Sequence, residues 1–103
     1  MSYLAELEKI DIGNLTSKMI QIPSYSFLKN QEMKISGFIY EYFIEEGIEC
    51  NLYEIEQGRY NVLAKIPGKG CGKSLMLVGH TDTVPPYDMN SPFEGTIREG
   101  NIY

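Results

Sequence analysis

The chain carries one histidine, His80, and a carboxylate follows two positions later at Asp82. In extended chain, residues i and i+2 leave the backbone on the same side, with Cα atoms roughly 6–7 Å apart. An imidazole and a carboxylate therefore emerge together. Two chemistries suit such a pair. The ring can ligate a metal while the carboxylate fixes its orientation and raises its basicity. Alternatively, the pair can act as a general base, which requires a nucleophile nearby. Ser24 and Ser26 supply hydroxyls, and nothing in the sequence marks either as activated. An isolated histidine is more often structural or simply exposed, so its surroundings must argue for chemistry. Here Gly79 removes a side chain beside the pair, and Pro85 and Pro86 stiffen the exit from it.

The remaining composition narrows the classes of function. Two cysteines, Cys50 and Cys71, cannot build a disulfide scaffold. One histidine and two cysteines cannot complete a four-ligand zinc knuckle. A net charge of −5 disfavours an electrostatic nucleic-acid partner. No stretch reaches the ~18 apolar residues of a membrane span. Met1 to Ile10 contains Glu6, Glu8 and Lys9, which is not the basic start and unbroken apolar run of a signal peptide. A cytoplasmic protein with reduced cysteines is the expectation.

The length of 103 residues allows one domain. Gly13 interrupts the apolar spacing of Leu4, Leu7, Ile10, Leu15, Met19 and Ile22, which predicts a short opening turn and then a helix over 14–21. Asn14 or Asp11 is available as its cap, and Pro23 ends it. Ile35, Phe38, Ile39, Tyr42 and Phe43 form one stripe of a second helix, with Gln31, Glu32, Lys34, Glu41 and Glu45 mainly on the other side. Gly47 stands where a left-handed cap is usual. Ile48 to Ile55 alternates like a half-buried strand, Gln57-Gly58 make a turn, and Tyr60 to Ile66 form a second strand. Ser74 to Gly79 holds the unbroken run Leu75-Met76-Leu77-Val78, which suits a strand buried on both faces. His80 and Asp82 would then stand at the end of a central strand, where open α/β sheets place their ligand crevices. Thr96 to Arg98 and Asn101 to Tyr103 read as hairpin arms around Glu99-Gly100. The second arm has barely begun when the chain stops, so the chain reads as cut. Two helices followed by sheet strands predict an α/β, layered α-β-α architecture.

Gly68 to Ser74 invites comparison with a phosphate-binding loop. That loop needs a glycine, four spacers and then Gly-Lys-Ser/Thr opening a helix. Counting back from Gly72, the first glycine falls on Pro67, and an apolar run rather than a helix follows Ser74. Without a helix N-terminus there are no free N–H groups to hold phosphate. A flexible connection between strands is the preferred reading of 68–74.

Leu75-Met-Leu-Val-Gly-His-Thr-Asp-Thr-Val-Pro85 resembles the first metal-binding motif of the zinc-dependent aminoacylase and carboxypeptidase family. That group includes acetylornithine deacetylase, succinyl-diaminopimelate desuccinylase, glutamate carboxypeptidase and tripeptidase-like peptidases. Gln21-Ile-Pro-Ser24, Gly58-Arg-Tyr-Asn-Val-Leu-Ala64, Pro92-Phe-Glu-Gly95 and Gly100-Asn-Ile-Tyr103 are similar to further family segments, in the expected order. The resemblance implies that 1–103 is the N-terminal portion of a metallohydrolase catalytic domain. It implies His80 as a ligand of one zinc in a two-metal site, and Asp82 as the catalytic-site carboxylate that orients it. The reaction implied is hydrolysis of an amide or peptide bond in a small N-acyl amino acid or peptide. The family's bridging aspartate, general-base glutamate, further ligands and lid domain have no counterpart in this sequence, so the chain alone is expected to be inactive. Asp88 and Glu94 lie in loops with no ligand spacing.

The competing reading is a non-catalytic interaction domain that keeps the fold without the metal. Surface packing separates the two. A portion of a catalytic domain leaves sheet edges and an apolar face uncovered, which invites self-association. An evolved binding module would carry polar residues there.

Overall fold

A computed structural model describes residues 3–103. Met1 and Ser2, at the head of the stretch read above for a signal peptide, lie outside the described residues. Among the described residues there are three helices and two small antiparallel sheets, divided between two compact units.

Among the described residues, the first unit joins the stretch that ends at Pro23 to Pro86–Tyr103. It contains α1 (Tyr3–Glu8), α2 (Ile12–Ile20), β3 (Ile97–Arg98) and β4 (Asn101–Ile102). The expected opening turn is thus a six-residue helix, and the helix count is three rather than two. Asp11 is the cap of α2: its carboxylate accepts the Asn14 N–H at 2.9 Å, satisfying a donor that the first turn leaves unpaired. Gly13 lies inside this helix rather than before it. Ser17 on α2 donates to the Gly95 carbonyl at 2.5 Å. Gly95 has φ +63°, and a Cβ there would lie 2.6 Å from the Ser17 carbonyl oxygen, so only glycine fits this approach. The β3–β4 hairpin turns through Glu99 and Gly100, both at positive φ, as a tight two-residue connection requires. Arg98 lies over the Tyr103 ring, 4.8 Å from its centre.

The second unit, Ser24–Pro85, holds α3 (Met33–Glu45), β1 (Glu49–Glu56) and β2 (Arg59–Lys65). The helix packs on the hairpin through the predicted stripe. Ile35 is buried, and Phe38, Ile39, Tyr42 and Phe43 are half-buried. Ser36, one position from Ile35, is also buried and donates to the Tyr60 carbonyl at 3.2 Å, tying α3 to β2. Gly47 ends α3 at φ +75°. Its N–H bonds the Ile44 carbonyl at 3.0 Å, and the Ile48 N–H bonds the Phe43 carbonyl at 2.9 Å. The strands pair in register Cys50↔Ala64 and Leu52↔Val62, with an irregularity between Glu54 and Glu56 before the turn. Burial pushes the Cys50 thiol up, away from the reactive thiolate.

Glu32 departs from its expected place on the solvent side of α3. Its side chain is 7% exposed and receives two hydrogen bonds from Arg59, at 2.6 and 2.8 Å. This forked geometry joins the start of the helix to the hairpin turn. Arg59 also lies 3.6 Å from Glu56. The Arg59 hydrogen bonds hold the Glu32 carboxyl below its ordinary value, with burial opposing them. A lowered folded value means that the stabilisation is complete above the unfolded carboxylate pKa, about 4.3. It is lost as pH falls through the lower folded value. Acid unfolding followed by circular dichroism should therefore show a stability loss below about pH 4.3 that Glu32→Gln flattens. An unchanged acid limb in the variant would contradict this.

Residues 74–79 differ from expectation. They form no strand, and Leu75, Met76, Leu77 and Val78 are 71–88% exposed. A strand exists only where a neighbour supplies N–H and C=O groups to its own, and among the described residues none pairs with this run. No helix follows Ser74 either, since 73–80 are neither helical nor paired.

Candidate functional site around His80 and Asp82

The chain beyond the apolar run is held by a short parallel pairing. Tyr25 and Thr83 form an isolated bridge. The Thr83 N–H donates to the Ser24 carbonyl at 3.2 Å, and the Ser26 N–H donates to the Thr83 carbonyl at 3.0 Å. Ser24 is 3% exposed, and its hydroxyl donates to the Thr81 carbonyl at 2.6 Å. Gln31 donates to the Ser24 carbonyl at 3.3 Å. The segment after Pro23 thus fixes the backbone on both sides of Asp82.

His80 and Asp82 meet as the i, i+2 spacing requires. The ring Nδ1 lies 3.1 Å from Asp82 Oδ1 and 3.0 Å from the Asp82 carbonyl oxygen. Both are acceptors, so the neutral ring carries its proton on Nδ1 and leaves a lone pair on Nε2. The side chains are 84% and 51% exposed, so the pair is open to a ligand rather than packed in a core. It does not end a buried central strand, because residues 74–79 are exposed and unpaired.

The hydroxyls weighed as nucleophiles have other partners. The Ser24 proton is given to the Thr81 carbonyl, and Ser26 Oγ reaches the Thr83 carbonyl at 3.4 Å. A serine that donates to a backbone carbonyl is not activated by a base. Neither hydroxyl is placed as the nucleophile of a His-Asp general base.

Asp82 also acts at a distance on the ion pair of α3 and the hairpin. Its charge raises the Glu32 carboxyl against the stronger lowering by Arg59, and it adds to the Glu32 contribution that keeps Arg59 protonated. Sequence patterns gave no sign of this neighbourhood. Glu32 sits on the polar side of the helical stripe, Arg59 beside a turn glycine, and neither spacing announces a pairing across 27 positions.

Among the described residues, no group of three or more His, Cys, Asp or Glu side chains could hold a metal ion. His80 fits the part of a ligand, because its outer nitrogen is free and its inner one is held. The described residues do not complete a metal centre around it.

Over 42 residues, 41% of the chain, the sequence is 57% identical to acetylornithine deacetylase of Aliivibrio fischeri strain MJ11. It matches acetylornithine deacetylase of Aliivibrio salmonicida strain LFI1238 to the same degree. The matched stretch covers 10% of either relative, so the chain spans a small part of the proteins it resembles. The likeness is a partial link to the aminoacylase family of hydrolases. No family model and no solved structure matches the chain.

Proposed function

We propose that residues 1–103 contribute the N-terminal portion of the catalytic domain of a metal-dependent amidohydrolase. Its substrates would be small N-acyl amino acids or peptides, and an N-acetylated amino acid is the first to test, given the deacetylase relatives. His80 would ligate one zinc of a two-metal site through Nε2. Asp82 would hold the ring by its Nδ1 proton and keep Nε2 basic. When bound, such a metal pair lowers the pKa of a water and stabilises the oxyanion formed at the amide carbon. The contact between His80 Nδ1 and Asp82 carries this reading, since it prepares one nitrogen for a ligand and occupies the other.

In this proposal the run Leu75–Val78 becomes a strand of a layered α-β-α sheet when further chain covers it. Its exposed surface is apolar, which supports a catalytic-domain portion over an interaction module evolved to face water. The same surface would drive self-association of the isolated residues. Two free cysteines suit a reducing compartment, and the cytoplasm is the proposed location.

The isolated 103 residues provide one proposed ligand. Purified and dialysed against zinc, they should retain well under one zinc per chain by elemental analysis. They should hydrolyse neither N-acyl amino acids nor dipeptides. Hydrolysis by these residues alone that a chelator abolishes would overturn the assignment of the remaining ligands to other chain.

A further inference from the structure

We propose that Ser24 is a positioning residue for the His80–Asp82 pair. The inference rests on the reading of that pair given above and adds a residue remote from it in sequence. Ser24 is buried and grips the chain on both sides of Asp82. Its hydroxyl donates to the Thr81 carbonyl at 2.6 Å, and its carbonyl accepts the Thr83 N–H at 3.2 Å. The residue between those two anchors is the one whose carboxylate and carbonyl both face His80 Nδ1.

The geometry matters because the run before the pair contributes no support. Leu75 to Val78 are exposed and unpaired among the described residues, so before further chain covers that run, as proposed above, His80 and Asp82 take no rigidity from a sheet. A carboxylate on an unbraced chain samples many orientations, and its hold on a neighbouring imidazole fades with each rotation. The Ser24 clamp restricts the φ and ψ angles around Asp82 by fixing the peptides before and after it. Gln31 extends the clamp to the start of α3, where Glu32 and Arg59 anchor the hairpin. The helix–hairpin unit thereby becomes the frame for a loop that would otherwise be loose.

The test reads where the proton sits on the His80 ring. Ring ¹⁵N spectra are recorded at about pH 9, where an ordinary imidazole is neutral. In the wild-type chain the Nδ1–H form should dominate, and the Thr83 and Ser26 amides should be protected from exchange. Ser24→Ala removes the hydroxyl bond to the Thr81 carbonyl and should shift the ring toward the mixture of free histidine and speed Thr83 exchange up to about tenfold. The β1 and β2 amides should stay unchanged, which separates positioning from unfolding. A ring that keeps the Nδ1–H form in a folded Ser24→Ala chain overturns this inference and leaves the His80–Asp82 pairing intact. A mixed ring in the wild type overturns both. Should Ser24→Ala lose the hairpin signals, Ser24→Cys decides. Its weaker donor should give an intermediate ring population, and a wild-type population there overturns the inference.

Discussion

His80→Ala, introduced into the protein expressed from its open reading frame to the natural stop, is expected to lower amide hydrolysis on the order of 10³-fold. A metal acting as a Lewis acid contributes several kcal/mol to the barrier, and each 1.36 kcal/mol is about tenfold in rate. Loss of a ligand removes most of that contribution. Asp82→Asn should cost less, about 10- to 100-fold, because it disturbs a partner of the ligand rather than the ligand itself. Asparagine can still face Nδ1 with its amide oxygen but lacks the charge that raises ring basicity. The order of the two effects is as informative as their size. An Asp82→Asn loss larger than the His80→Ala loss would show that the carboxylate does chemistry of its own. Turnover by N-acetylated substrates, measured on variants with wild-type circular dichroism spectra, gives both numbers.

The largest structural effect is expected at Gly58. Its φ is +76°, which costs an L-residue about 1–2 kcal/mol. A Cβ there would also lie 2.7 Å from the Asn30 Cα, so backbone must move rather than a flexible side chain. Gly58→Ala should therefore destabilise the helix–hairpin unit by about 3–5 kcal/mol. For a domain of this size that lowers the melting temperature by more than about 10 °C. Gly47 is the natural comparison, since its φ is +75° but nothing lies within 4 Å of its Cβ position. Gly47→Ala should cost only the backbone share, about 1 kcal/mol. Equal losses at the two glycines would mean that the close approach to Asn30 is not maintained in solution.

The helix–hairpin unit was legible because its signals are local. Ile35, Phe38, Ile39, Tyr42 and Phe43 recur at helical spacing, Gly47 caps them, and Cys50 is buried on β1, although Leu52 two positions on is exposed. None of these needs a distant partner to be read. The pairing of His80 with Asp82 is local in the same sense, as the i, i+2 geometry alone brings the side chains together. What escaped depends on partners far along the chain. The polar helical position of Glu32 points to solvent, yet Arg59 offers two donors to it from the hairpin turn. The Ser24 hydroxyl carries no mark of its partner in the sequence, since its bond to Thr81 spans 57 positions with no periodic trace. The run Leu75–Val78 reads as a buried strand from its composition, but composition describes a tendency and not the presence of neighbours. Without them the run remains exposed and outside any strand.

The proposed role of His80 as a zinc ligand in a metal-dependent amidohydrolase makes metal dependence its first requirement. Chelation of the protein expressed from its whole open reading frame tests it most directly. Hydrolysis of N-acetylated amino acids should vanish when a chelator strips the metal and return when zinc is restored, with zinc content and rate recovering together. Hydrolysis that continues at full rate in the metal-free protein would contradict the account.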